Sequence, residues 1–123
     1  LRQQAQLIGW VDDPEMFLSR GALFVMSSRY EGFPVALLEA MACGVPAVSF
    51  DCDSGPRAII RPEIDGLLVP AADTVALARA IDQLMSDPVA RQRFGQRARE
   101  VVERFSMAVF VQRWNDVVDA CLI

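Results

Sequence analysis

The fold of this chain is decided by the stretch YEGFPVALLEAMACGVP, which runs from Tyr30 to Pro46. The apolar run Ala22–Met26 precedes it, and a second apolar run, Ala47–Phe50, follows it. Short apolar runs bounded by Gly and Pro are typical of buried strands, whereas the middle of the stretch, rich in Ala and Leu, is typical of a helix. The order of these segments predicts a β-α-β unit, in which a helix joins two parallel strands.

The ends of the predicted helix are marked by proline and glycine. Pro34 suits the first helical position, because its φ is already helical and its missing N–H would have no partner there. Gly44 suits the left-handed residue that closes a helix, and Pro46 prevents the helix from continuing. The helix is therefore predicted over about Pro34–Cys43, with its N-terminus at the carboxyl end of the preceding strand.

The start of this helix has the features of a ligand site. Open α/β sheets bind ligands beyond the carboxyl ends of their strands, and a helix N-terminus offers free amides and a positive dipole end to a phosphate. Gly32 lets the backbone approach such a ligand closely. Val35 and Glu39 are four residues apart and share a helix face, which places Glu39 about one turn from the first amides.

Two glutamates of this stretch stand in unexpected surroundings. Glu31 lies in the turn before the helix, and Glu39 is alone among Ala, Leu and Met. A carboxylate in apolar surroundings needs a partner, because desolvating it unpaired costs free energy. Both side chains could therefore face one ligand. The alternative is that Glu31 caps the helix and that Glu39 reaches solvent.

The spacing of the two glutamates resembles a family signature. Glu31-x7-Glu39, with Gly-Phe-Pro directly after the first glutamate, resembles the signature of the retaining, GT-B-fold family-4 glycosyltransferases (glycosyl transferases group 1). These enzymes transfer a sugar from a nucleotide-sugar donor. The resemblance covers nearly the whole chain. Its further motifs are Ala40-Met41-Ala42-Cys43-Gly44-Val45-Pro46, Ser54-Gly55-Pro56 and Asp65-Gly66-Leu67-Leu68-Val69-Pro70.

The resemblance implies roles for the turn before the helix. Glu31 would be the catalytic residue and would hold hydroxyls of the donor sugar. The backbone of Gly32, Phe33 and Pro34 would flank that sugar. Pro34 can donate no hydrogen bond, because proline has no N–H.

The resemblance also implies how the nucleotide is bound. The amides of Val35 and Ala36 would bind the pyrophosphate, and Glu39 would bind the ribose hydroxyls. Trp10 and Val11 would line the pocket of the nucleotide base. For Trp10 the alternative is that its ring simply packs on the domain.

The resemblance implies an α/β fold of Rossmann-like type, with helices on both faces of a parallel sheet and a helical C-terminal tail. Residues 1–123 would be a single fragment, the C-terminal part of the nucleotide-sugar-binding domain of a GT-B enzyme. In the tail, residues 105–123, apolar side chains recur at a spacing of three and four and must be buried against something. In the resembled enzymes this helix crosses to an N-terminal domain that is absent here.

The apolar runs predict a sheet of about four strands. They are Gln6–Val11, Ala22–Met26, Ala47–Phe50 and Gly66–Val69. Helix starts are predicted at the N-caps Asp13, Asp73, Asp87 and Ser106. In the resembled domain further strands would precede this chain, so Ala22–Met26 would be an open edge that tends to recruit another strand. We therefore expect the fragment to dimerise, to swap elements, or to pair its first strand beside Ala22–Met26.

Composition excludes several kinds of function. The chain has 123 residues, a formal net charge of −4 and no histidine, and all 12 basic residues are arginines. Without histidine or lysine, Ser-His-Asp or Cys-His catalysis, a Walker lysine and a pyridoxal Schiff base are impossible within this chain. The negative charge argues against a nucleic-acid partner. The three cysteines have no metal-binding spacing and are expected as reduced thiols.

One acidic triplet raises the question of a metal. Asp51-Cys52-Asp53 follows a predicted strand, and two carboxylates at a strand end can bind Mg²⁺ or Mn²⁺. Aspartates at turns more often bond their own backbone, and the resembled GT-B enzymes do not use this device. We therefore expect no metal and no cofactor, since the nucleotide-sugar is a substrate.

The implied function is that of a hexosyltransferase. The parent protein would transfer a hexose-type sugar from an NDP-sugar, such as a UDP- or GDP-sugar, to a glycan, glycolipid or other acceptor, as in polysaccharide biosynthesis. The acceptor would be bound by the absent N-terminal domain, and the fragment alone is expected to be inactive. The expected location is cytoplasmic, and peripheral association with the inner face of the membrane stays open.

Two other classes of function compete with this one. The first is a non-catalytic α/β module that binds a nucleotide or serves assembly. The second, a dinucleotide-dependent oxidoreductase, is disfavoured because no G-x-G-x-x-G follows a strand.

Overall fold

The computed structural model describes residues 4–122 of the chain. In that range the strands are β1 (Phe24–Met26), β2 (Ala47–Asp51) and β3 (Gly66–Pro70). The helices are α1 (Pro14–Ser19), α2 (Val35–Ala42), α3 (Pro56–Ile59), α4 (Thr74–Ser86), α5 (Pro88–Ala98), α6 (Val101–Arg104) and α7 (Met107–Cys121). Strands and helices alternate up to β3, and only helices follow it. The predicted β-α-β unit is therefore confirmed, with β1, α2 and β2 as its members.

The three strands form one open, parallel sheet in the order β1-β2-β3. Val48 of β2 is in register with Val25 of β1 and with Leu67 of β3. Because all strands run in one direction, their carboxyl ends meet at one edge of the sheet. β1 is an edge strand within residues 4–122, as the sequence predicted.

The strand predicted over Gln6–Val11 is wrong. Over the residues that the structure describes, the sheet has three strands rather than about four. Leu7 and Trp10 are exposed, and within residues 4–122 no strand is paired with their segment. The amides and carbonyls of a strand need a neighbouring strand, so an apolar run without one does not form a ladder. The expected pairing of this segment beside Ala22–Met26 is wrong for the same reason.

Helices cover both faces of the sheet, because successive side chains of a strand point to opposite faces. On one face Ala47 of β2 belongs to a buried cluster with residues from β1, α2, α3, α5 and α6. On the other face Val48 and Phe50 belong to a second cluster, with residues from β3, α4 and α5. The predicted packing of helices on both faces is confirmed.

The predicted helix starts are confirmed by their capping hydrogen bonds. Each N-cap side chain accepts a hydrogen bond from the amide three residues further along the chain. The pairs are Asp13 with Met16, Asp73 with Ala76, Asp87 with Ala90 and Ser106 with Val109.

The C-terminal helix α7 has no buried residue within the described chain. Its apolar stripe is exposed and includes Phe110, Trp114 and Val117. An apolar surface of this kind usually marks an interaction site. In the described part of the chain, none of the helices combines the length and the apolar character needed to cross a bilayer.

Candidate functional site

Two loops contact each other at the carboxyl edge of the sheet. The turn Glu31–Pro34 follows β1, and the turn Ser54–Pro56 follows β2. The Ser54 hydroxyl donates a hydrogen bond to the Glu31 carbonyl oxygen. Gly55 has a φ of +93°, and a Cβ at that position would collide with the Pro34 ring. Gly55 is therefore needed both for its backbone conformation and for the close approach of the two loops.

The helix that follows the first turn begins with unused amides. α2 starts at Val35 with Pro34 as its N-cap, one residue later than predicted. The Pro34 carbonyl accepts hydrogen bonds from the Leu37 amide (3.1 Å) and the Leu38 amide (3.4 Å). Neither the Val35 nor the Ala36 amide has an acceptor among residues 4–122, and no side chain caps this helix. The first amides of α2 are thus available to an anion.

Both predicted acidic side chains lie at this helix. Glu31 is half-buried in the turn, and Glu39 is exposed on α2. In the part of the chain that the structure describes, neither carboxylate forms an ion pair or a hydrogen bond. Glu31 does not cap α2 with its side chain, which removes one half of the alternative. Glu39 does reach solvent, and its use by a ligand stays a prediction.

Phe33 connects the turn to the helices near the C-terminus. Its side chain is 49% exposed, and its ring packs on the Phe105 ring with the centroids 5.9 Å apart. Phe105 in turn packs against the buried cluster around Ala47. The turn is therefore held by Ser54 and Gly55 on one side and by Phe105 on the other.

Trp10 and Val11 lie in the segment before α1. Trp10 is 91% exposed, and its Nε1 donates a hydrogen bond of 3.2 Å to Asp12 Oδ1. Val11 is partly buried. An indole ring this exposed is not packed on the domain, so the alternative for Trp10 is wrong. Its contact with a nucleotide base stays a prediction.

Asp51 in the acidic triplet is paired with an arginine. Arg57 donates from Nε to Asp51 Oδ1 (2.8 Å) and from its Nη2 to Oδ2 (3.0 Å). This hydrogen bond raises the pKa of Arg57 above its ordinary value, and the nearby charge of Asp51 adds to the effect. Among residues 4–122, no group of three or more potential metal ligands occurs. Asp51 thus serves as the partner of an arginine.

The family of the chain follows from comparing its sequence with those of known proteins. The sequence profile described as "Glycosyl transferases group 1" matches residues 1–101. The chain belongs to the glycosyl transferases group 1 family.

Two curated relatives of this group 1 chain span nearly all of it. It is 40% identical over 118 residues to the "Exopolysaccharide phosphotransferase SCO2592" of Streptomyces coelicolor, covering 95% of this chain and 12% of that protein. It is 28% identical over 114 residues to the "Poly(glycerol-phosphate) alpha-glucosyltransferase" of Bacillus subtilis, covering 93% of this chain and 17% of that protein. The chain thus corresponds to a small part of each relative.

A solved structure matches the group 1 chain in fold and sequence. A point mutant of S. aureus TarM, in complex with Fondaparinux, alpha-GlcNAc-glycerol and UDP, superposes with a TM-score of 0.84 at 31% identity. The match covers 90% of this chain and 23% of that chain. The expected fold, part of the GT-B architecture, is therefore confirmed.

A buried ionic network of the group 1 chain was missed by the sequence analysis. Asp65 is 0% exposed and accepts hydrogen bonds from the Arg61 amide (2.7 Å), from Arg61 Nε (2.6 Å) and from Arg104 Nη1 (3.4 Å). Arg61 Nη1 also donates to Glu100 Oε2 at 2.8 Å. The network joins the loop before β3 to α6 through Arg104, and to α5 through the Arg97 carbonyl oxygen, which accepts a hydrogen bond from Arg61 Nη2 (3.2 Å). The only sequence signal was the Asp65-Gly66 pair, which indicates a turn and does not indicate burial.

Three pKa values are shifted within the network. The pKa of Arg61 is raised and that of Glu100 is lowered, and burial together with the charge of Arg61 lowers the pKa of Arg104. Burial alone would lower the pKa of Arg61, but its hydrogen bonds to Asp65 and Glu100 raise the pKa above its ordinary value. The hydrogen bond from Arg61 lowers the pKa of Glu100, burial opposes this shift, and the charge of Arg97 adds to it. Glu100 therefore stabilises the fold in its charged form.

Glu100→Gln is expected to remove an acid-sensitive part of the stability. Because the folded-state pKa of Glu100 is lowered, its contribution is present above the unfolded pKa, near the ordinary value of 4.5, and is lost as the pH falls through the folded pKa. Thermal unfolding between pH 7 and pH 3 should show the parent chain losing its advantage over Glu100→Gln below this value. Glu103→Gln, at an exposed position of α6, is the control. A constant difference at all pH values would contradict the prediction.

Proposed function

We propose that this chain is the nucleotide-sugar-binding part of a retaining, family-4 glycosyltransferase that transfers a hexose-type sugar to a glycan, glycolipid or other acceptor. The observation that carries the proposal is the start of α2. Two amides without acceptors in the described chain, those of Val35 and Ala36, lie there between the half-buried Glu31 and the exposed Glu39. An NDP-sugar matches this arrangement, because its pyrophosphate is an anion with the transferred sugar on one side and the ribose on the other.

Each group has a separate task in the proposed reaction. The bond between the anomeric carbon and the phosphate oxygen breaks, a hydroxyl oxygen of the acceptor forms a bond to that carbon, and the hydroxyl proton passes to the leaving nucleoside diphosphate. The negative charge that develops on this leaving group is stabilised by the amides of Val35 and Ala36. Glu31 accepts hydrogen bonds from hydroxyls of the transferred sugar and fixes its orientation. The backbone of Gly32, Phe33 and Pro34 flanks that sugar, and Gly32 leaves room for it because it has no side chain.

The nucleotide is bound on the other side of the phosphates. Glu39 accepts hydrogen bonds from the ribose hydroxyls, and Trp10 and Val11 line the pocket of the base. UDP is the first nucleotide to test, because TarM was crystallised with UDP. No metal and no cofactor take part in the proposed reaction.

The remaining parts of the proposal concern the whole protein. The acceptor is bound by an N-terminal domain, onto which residues 105–123 dock through the exposed stripe of α7. Transfer takes place in the cytoplasm or at the inner face of the membrane, and the chain by itself is inactive. The edge strand β1 also makes this chain prone to self-association.

The relatives do not all carry the same activity in their names. The Streptomyces relative is named a phosphotransferase, whereas the Bacillus relative is named a glucosyltransferase. This chain spans only 12% of the Streptomyces protein. The name phosphotransferase therefore describes a protein of which the greater part does not align with this chain. A non-catalytic nucleotide-binding or assembly module is the competing function.

Glu39→Ala is expected to weaken UDP binding about tenfold, since a hydrogen bond to a charged group contributes this order of free energy. The chain is titrated with UDP, GDP and ADP while backbone amide signals are followed by NMR. Saturable shifts confined to residues 31–39 and to Trp10 and Val11 support the donor site. Glu103→Ala is the matched control and should bind like the parent chain. If no nucleotide shifts any signal, the chain is a non-binding module.

A further inference from the structure

Phe105 connects the turn Glu31–Pro34 to the core. It follows α6, is partly buried, and packs against the buried cluster around Ala47. Its ring meets the Phe33 ring at a centroid distance of 5.9 Å and an interplanar angle of 53°. A tilted pair at this distance is a favourable arrangement of two aromatic rings. Phe33 itself is half exposed, so Phe105 is an important anchor for its ring.

The Phe105 ring is itself in contact with a cation, the Arg104 guanidinium group. The Arg104 guanidinium carbon lies 5.3 Å from the centroid of the Phe105 ring. Arg104 Nη2 donates to the Ile59 carbonyl oxygen (2.9 Å), and Nη1 donates to the buried Asp65 carboxylate (3.4 Å). Because both groups belong to the folded core, the guanidinium has a fixed position, from which it attracts the face of the ring.

We propose that Phe105 is a positioning residue for the donor site, acting through Phe33. This inference rests on the proposed function. Phe33 follows Glu31 by two residues and precedes Val35 by two, so a displaced Phe33 ring would move both the carboxylate and the first amides of α2. Small displacements of positioned groups lower reaction rates strongly. Phe105 lies after α6, far from the turn in sequence, and is assigned no contact with the donor.

Phe105→Leu tests the role of the ring, because leucine keeps an apolar side chain and removes the aromatic contact. UDP affinity of this chain should fall about fivefold, the order expected for the loss of one aromatic pair. In the full-length protein, kcat for sugar transfer should fall about tenfold, because the turn carries the proposed catalytic glutamate. NMR titration gives the affinity, and initial rates at saturating donor give kcat.

The control separates positioning from stability. Phe94 is buried at 2% exposure on the opposite face of the sheet, so Phe94→Leu should lower the unfolding temperature without changing UDP affinity. Phe105→Tyr keeps the ring, so its UDP affinity should stay within about twofold of that of the parent chain, since the face that meets Phe33 is retained. Equal losses of affinity in Phe94→Leu and Phe105→Leu would overturn the inference.

A double variant tests whether Phe105 acts through Phe33. If it does, Phe33→Leu with Phe105→Leu should weaken UDP binding no more than the stronger single change, because both changes remove the same contact. Losses that multiply would overturn the inference. Should Phe105→Leu fail to fold, Phe105→Tyr and Phe33→Leu still test the contact.

The two proposals fail in different ways. If the parent chain binds UDP, and Glu39→Ala lowers the affinity while Phe105→Leu leaves it unchanged, the positioning role alone is overturned. Absence of UDP binding in the parent chain would overturn both proposals.

Discussion

Glu31→Ala in the full-length protein is expected to lower kcat by about 10²- to 10³-fold, the range found when one preorganised stabilising group is removed from an active site. In the proposed reaction Glu31 orients the sugar while its bond to the phosphate breaks. The carboxylate is half-buried and has no partner among residues 4–122, so it is free to bind hydroxyls. The KM for the donor should change little, because the pyrophosphate and the ribose are bound by other groups.

Steady-state kinetics with a labelled donor measure this effect. Glu39→Ala should show the opposite pattern, a raised KM with a largely retained kcat, which separates binding of the nucleotide from turnover. Glu103→Ala removes an equal charge from an exposed position of α6 and should leave both constants unchanged. Unchanged kinetics in both Glu31→Ala and Glu39→Ala would overturn the assignment of the site.

Asp65→Asn is expected to lower the free energy of unfolding by about 3 kcal/mol, the lower end of what breaking a buried ion pair costs. The Asp65 carboxylate is 0% exposed and accepts from both Arg61 and Arg104. Asparagine keeps the size of the side chain but carries no charge and turns an N–H₂ group towards the guanidinium groups. Both arginines retain 27% exposure, which lets water offset part of the loss.

Urea unfolding of this chain measures the change. Asp82→Asn, at an exposed position of α4, is the matched control and should change the free energy of unfolding by less than about 0.5 kcal/mol. If Asp65→Asn is as stable as the parent chain, the network contributes nothing to the free energy of unfolding. Because Asp65 also fixes Arg104 beside Phe105, a weaker affinity for UDP should accompany the loss of stability.

Much of the fold and part of the site followed from local sequence. The caps at Asp13, Asp73, Asp87 and Ser106, and the helix closed by Gly44, depend on interactions within a few residues, and all were predicted correctly. That Glu39 lies about one turn beyond Val35 in α2 followed from the 3.6-residue period, and its use by a ligand stays a prediction. Family membership followed from the spacing of Glu31 and Glu39 and from motifs along the chain.

The errors of the sequence analysis share one cause. Gln6–Val11 has the composition of a strand, but a strand exists only where another strand supplies hydrogen bonds, and composition does not contain that information. The sequence likewise left two interpretations of Trp10 open, a ring packed on the domain and a ring lining a pocket. The exposure of the ring depends on which surfaces lie nearby in the folded chain, and composition does not show this.

What the sequence by itself determined is therefore the β-α-β unit, the starts of α1, α4, α5 and α7, and the chemical groups offered at the start of α2. Tertiary structure alone decided that Ser54 bonds to Glu31, that Phe105 packs on Phe33, and that Asp65 is buried between two arginines. Backbone conformation and capping depend on neighbours in the chain. The contacts Ser54–Glu31, Phe33–Phe105 and Asp65–Arg104 join residues more than twenty positions apart, and they exist only once the sheet brings its loops and helices together. The pair Arg61–Asp65 is local.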